Sequence, residues 1–174
     1  MKLNNVDLDR LKEFEEKGRK NKEELKKTMK IDGEWVLDNN KGIQFISEVS
    51  FEKGKQIIKI DSPSWLGGNG NRPGPMVYCL VGLASCFLST YATIASTQEI
   101  KLKRLKIKSS CKINFSKTLG ISDDPITEEV NFEIDAEAEN ADKEKLKEIL
   151  EIAKQRCPAI YSLTNVIKVN AKLV

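Results

Sequence analysis

Histidine is absent from this chain of 174 residues. No side chain therefore titrates near neutrality unless its surroundings shift it. Neither Cys–His nor Ser–His–Asp catalysis can be built within one chain. General acid or base work falls to a carboxylate, a lysine or a thiol. Also missing is any CxxC pair. A four-thiol zinc or iron–sulfur site would have to gather single cysteines from distant elements, so no metal and no cofactor are expected. Charge is nearly balanced, 29 basic against 26 acidic side chains, and the net +3 is dispersed along the chain. That argues against nucleic acid as a partner. The opening MKLNNVDLDR has no apolar run behind its basic residue, so no secretory leader is read there. The four cysteines, Cys79, Cys86, Cys111 and Cys157, are expected to be mostly reduced in a cytoplasmic protein.

The chain does contain clear periodicity. Residues 1–31 predict a small helical extension: Asn5 reads as a cap, Leu8, Leu11 and Phe14 share one side, and Gly18 reads as a stop. Asn21 and Glu24 have capping-box spacing. Residues 32–174 predict the main domain. From Trp35 the pattern is that of strands, with IQFISEVS and KQIIKIDS joined by FEKG as a hairpin. A loop rich in turn formers, SPSWLGGNGNRPGP, leads into the uncharged stretch 76–97. That stretch is long enough for a membrane span. Its Gly82, Ala84, Ser85, Ser89 and Ala92 favour instead a buried helix crossed closely by another, and no membrane is expected as partner.

Alternation returns at Leu105, Ile107, Cys111, Ile113 and Phe115, and again at Val130, Phe132, Ile134 and Ala136, with ISDDP as the turn. An amphipathic helix follows, carrying Leu146, Ile149, Leu150 and Ala153 on one stripe, with Asn140 as cap and Asp142 in the first turn. Pro158 blocks its continuation, and VIKVNAKLV predicts a closing strand. The order β-β-α-β-β-α-β is that of an α+β layer fold.

Two thiols stand out. Cys86 lies mid-way along the uncharged helix, and Cys157 closes the amphipathic one between Arg156 and Pro158. Taken alone, either thiol reads as a small buried hydrophobe or as a reactive group. Trp65, Met76, Tyr78, Cys79 and Phe87 read either as core or as the lining of an apolar cavity.

Pro75, Met76, Leu80, Gly82, Leu83, Ala84, Ser85, Cys86 and Phe87, followed by a helix ending in Cys157-Pro158, resemble the OsmC/Ohr superfamily. GGNG at 67–70 and the long strand pair between the helices fit as well. The resemblance covers about residues 35–174. It implies an OsmC-like fold, an intertwined homodimer with the two central helices back to back, and sites at the interface. It also implies an antioxidant thiol peroxidase acting on organic hydroperoxides. Cys86 would be the peroxidatic thiol and Cys157 the resolving one, with the disulfide reopened by a lipoyl-type dithiol or a thioredoxin-like protein.

Such chemistry needs a thiolate, and a mid-helix cysteine in apolar surroundings needs a cation to hold one. The chain departs from the family pattern at this point. Met76 follows Pro75 where the best studied members carry a glutamate, and residues 32–71 contain no arginine to match its partner. The cations to consider are Lys55, Arg72 and Arg156, and a lysine lacks the planar fork of arginine. The alternative on the same fold is a weakly active protein that binds thiols or small apolar ligands.

Overall fold

A computed structural model describes residues 1–174. The elements are β1 (Lys2–Leu3), β2 (Val6–Asp7), α1 (Leu8–Lys20), β3 (Asp32–Trp35), β4 (Phe45–Phe51), β5 (Gly54–Ile60), α2 (Pro75–Thr97), β6 (Leu102–Ile113), β7 (Thr127–Ala138), α3 (Lys143–Arg156) and α4 (Pro158–Thr164). Single 3-10 turns lie at Lys22–Leu25 and Ser64–Leu66. The class is α+β, as the sequence predicts. The chain divides into two compact units, Glu15–Cys79 and Met1–Phe14 with Leu80–Val174.

The larger unit is built on the ladder of β6 against β7, antiparallel over Leu102–Ile113 and Thr127–Ala138. Register follows polarity. Leu105 pairs with Ala136 and Ile107 with Ile134, so one face is apolar. On the other face Arg104 bridges Asp135 at 2.7 Å and Glu137 at 2.6 Å. On the apolar side lies the core: Phe87, Tyr91, Ile94 and Ala95 of α2 with Leu146, Ile149 and Ala153 of α3, and Cys157. These α2 positions recur every three or four residues, which is one face of a helix. Phe87 meets Phe132 edge-on, centroids 5.6 Å apart. The Tyr91 hydroxyl, buried with its ring, donates to the Leu146 carbonyl at 3.0 Å. Although α2 is long and apolar enough to cross a membrane, its inner face makes the centre of this core.

Four expectations are corrected in detail. Asn5 does not cap α1. Asn4 and Asn5 take positive φ, 50° and 63°, and turn β1 back on β2. Asparagine tolerates this region better than most residues. The Asn4 amide then ties the end of α2 to β6, donating to Ser96 Oγ and Ile100 O and accepting from Leu102 N. The capping acceptor is Asp7, facing Arg10 N–H. Gly18 does not stop α1, which runs on to Lys20; Gly18 is buried where a Cβ would fall 2.4 Å from Leu25. Asn140 is not the cap of α3. It accepts from Lys101 N–H and donates to Glu99 O, while Asp142 caps the helix through Lys145 N–H at 2.8 Å. Lastly, VIKVNAKLV forms no strand. A strand needs an edge to pair with, and this segment joins none of the sheets. Val166, Val169, Leu173 and Val174 stand exposed.

In the smaller unit, β3, β4 and β5 form an antiparallel meander. FEKG closes the expected hairpin, with Phe51 opposite Gly54. Asn21 caps the following 3-10 turn through Glu23 N–H.

Candidate redox site

Cys86 and Cys157 meet. Their sulfurs are 3.8 Å apart, with the Cys157 thiol donating to Cys86 Sγ. A helical stripe brings Cys86 to the inner side of α2, one residue before core Phe87. Cys157 is delivered by a helix–helix corner. It is the C-cap of α3, its N–H bonded to Ala153 O, and also the N-cap of α4, whose first residue is Pro158. Proline suits the first helical position because its missing N–H would have no partner there. The residue that ends α3 thus starts α4. Cys157 is wholly buried, whereas Cys86 is half-buried. A disulfide needs the sulfurs at about 2 Å, so from 3.8 Å bonding requires an approach of a little under 2 Å.

Three effects act on the Cys86 thiol. Burial, the largest, pushes it above the ordinary cysteine value. The Ala159 backbone N–H, near the start of α4, points to the sulfur and opposes that rise. The neighbouring Cys157 thiol adds to it. No lysine or arginine figures among them. Within this unit only the Ala159 N–H acts to favour the thiolate, and burial outweighs it.

The other residues singled out by sequence lie as follows. Arg156 ends α3, beside Cys157. Phe87 is sealed in the core. Cys111 faces inward from β6, opposite Val130. In the smaller unit Lys55 pairs with Glu48 at 2.5 Å, which raises its own pKa. Arg72 donates to the Asn71 carbonyl at 2.9 Å. Tyr78 donates to Lys59 O at 3.3 Å. Trp65 is 70% exposed, and Met76 and Cys79 are exposed as well. Two groups were missed in the sequence, one at this site and one in the smaller unit outside it. The Ala159 N–H carries no side-chain signature; the clue was Pro158, readable as a helix start as well as a stop. Asp61 is the other, a carboxylate with no exposed surface in the loop before α2.

Comparison with known proteins gives a consistent result. Residues 68–172 match a family described as OsmC-like protein. Among solved structures, an OsmC-like protein from Mycoplasma pneumoniae superposes with a TM-score of 0.59 at 22% identity, over 80% of this chain and 89% of the other. An organic hydroperoxide resistance protein OsmC from Legionella pneumophila gives 0.55 at 17% identity, over 80% and 92%. An organic hydroperoxide resistance protein from Elizabethkingia anophelis gives 0.55 at 18% identity, over 80% and 91%. These likenesses are to the fold. No curated protein matches.

Proposed function

The chain belongs to the OsmC/Ohr superfamily, and from that premise we propose that it is a cysteine-based peroxidase of organic hydroperoxides, with Cys86 as the attacking thiol and Cys157 as its resolving partner. The observation that carries this reading is the 3.8 Å separation of two sulfurs drawn from elements 71 residues apart. Core packing alone would be served equally well by two alanines or valines.

In the first step the Cys86 thiolate attacks the terminal oxygen of ROOH. The O–O bond breaks, a sulfenic acid forms and the alcohol leaves with a proton. The Cys157 sulfur then attacks the sulfenic sulfur, giving the disulfide and water. A dithiol, lipoyl-type or on a thioredoxin-like protein, reopens it by exchange.

Two further features belong to this reading. The outer row of α2, with exposed Val77, Val81, Gly82, Ser85 and Ser89, is where a second copy packs. Small residues there let helices approach closely. The paired chain is the source of the cation that Cys86 lacks in its own unit. Residues 1–31 lie outside the family match and are an extension of the domain. The protein works in the cytoplasm, where a dithiol reductant is at hand.

The test is turnover: loss of cumene hydroperoxide in the presence of dihydrolipoamide. Wild type should consume peroxide, and Cys86→Ser should show none. Cys157→Ser should manage one turnover and then stall. Equal rates in wild type and Cys86→Ser would refute the proposal. They would favour the alternative of a binding protein on this fold.

A further inference from the structure

The loop between β5 and α2 is built around a buried anion that the redox pair does not use. Asp61 has no solvent-exposed surface. Its carboxylate accepts the Asn69 N–H at 3.2 and 3.1 Å and the Asn71 N–H at 2.9 Å. Between these donors the Gly70 N–H is given to the Ser62 carbonyl at 3.1 Å. Gln44 braces the same turn, accepting from Ser62 N–H and donating to Gly67 O.

Asn69-Gly70 is the one Asn–Gly pair in the sequence, and both residues are exposed to water. Asn–Gly is the dipeptide most open to spontaneous deamidation, because no side chain shields the glycine nitrogen. That nitrogen, once deprotonated, attacks the asparagine Cγ. A C–N bond closes a five-membered succinimide and the side-chain nitrogen leaves as ammonia. Water then opens the ring to aspartate or isoaspartate. In this loop the attack is opposed at both ends. The Gly70 N–H is engaged by Ser62, and the Asn69 backbone is pinned by Asp61 and cannot turn to the attack geometry.

We propose that Asn69 is a modification site latched by Asp61: deamidation is suppressed while the carboxylate holds Asn69 and Asn71. Once it occurs, it places a second negative charge beside Asp61. The Asn69 side chain also hydrogen-bonds the Asp61 carboxylate, and two carboxylates in that arrangement repel, so the modified loop releases its hold on the segment leading to α2. The change is one-way, and it needs only water.

The test follows the tryptic peptide spanning residues 60–101, since Pro73 blocks cleavage after Arg72, by mass spectrometry, with fragment ions separating Asn69 from Asn71, in the full-length protein at mildly alkaline pH. Conversion adds about one mass unit. A charge-assisted hydrogen bond changes the closed-to-open ratio by about tenfold or more. The folded wild type should therefore convert at least about tenfold more slowly than the same chain in guanidinium. Asp61→Ala should approach the denatured rate, and Asp61→Asn, which keeps one acceptor oxygen, should fall between. Should the Asp61 variants lose their far-UV spectrum, Gln44→Ala loosens Ser62 without touching Asp61 and should also speed conversion. Natively folded variants converting at the wild-type rate, or a folded wild type as fast as the denatured chain, would overturn the proposal.

Discussion

Burial and a single backbone N–H compete at the Cys86 sulfur, and burial wins. The thiolate fraction at neutral pH is therefore smaller than that of a free cysteine in solution. In the isolated subunit, Cys86 alkylation by iodoacetamide should keep rising with pH past the ordinary thiol value of about 8.5 without levelling off. A plateau near neutrality would show that a cation acts on the sulfur after all. Tyr91 extends the pH argument to stability. Burial pushes its hydroxyl up to about 12, so between about 10 and 12 the folded chain keeps a proton that the unfolded chain releases. Its contribution is complete below about 10 and disappears as pH rises to about 12. Urea midpoints for wild type should fall across that window, and for Tyr91→Phe they should fall less. Asp61 has the opposite sign. The Asn71 and Asn69 N–H groups hold its carboxyl below the ordinary value, so its contribution is present above about 4 and is lost as pH drops further. Residues of this kind were only partly legible beforehand. The thiols were conspicuous in an uncharged stretch. Asp61 looked like one more carboxylate among 26 acidic side chains, because nothing local announces that two backbone donors will converge on it.

Helix α2 has two faces with different duties. The stripe at 84, 87, 91, 94 and 95 fills the core. Phe87→Ala should destabilise by about 3–5 kcal/mol, as large-to-small changes at filled sites do, measured by urea unfolding. The loop before α2 is as intolerant at one point. A Cβ at Gly68 would fall 1.9 Å from the Ser62 carbonyl oxygen, and backbone cannot yield as a side chain end can. Gly68→Ala should lower the unfolding midpoint by the equivalent of roughly 1–3 kcal/mol. Elements with strong periodicity were readable from sequence: the two long strands, the hairpin at FEKG and both long helices. Elements whose form depends on a partner were not. VIKVNAKLV alternates as a strand should, but alternation supplies a face and not a neighbour. Pro158 was read only as a stop, since proline ends one helix and opens the next by the same lack of an N–H.

At the scale of the molecule, apolar surface remains to be covered. Val77 and Val81 on α2, and Val166, Val169, Leu173 and Val174 in the tail, are all exposed. On the proposed pairing a second copy covers this surface, and light scattering should then report about twice the chain mass of 19.6 kDa. Val81→Glu should shift that value toward one chain, since a charge within a close helix crossing has no partner. If wild type scatters as a single chain at all concentrations, the paired arrangement is wrong and Cys86 must find its cation elsewhere or do without. The central claim is independent of that result. Intact protein treated with one equivalent of tert-butyl hydroperoxide and weighed by mass spectrometry should lose about two mass units in wild type as the Cys86–Cys157 bond forms. Neither Cys86→Ser nor Cys157→Ser should show that loss. An unchanged wild-type mass, or the same loss in either variant, would contradict the assignment of these two sulfurs as a redox pair.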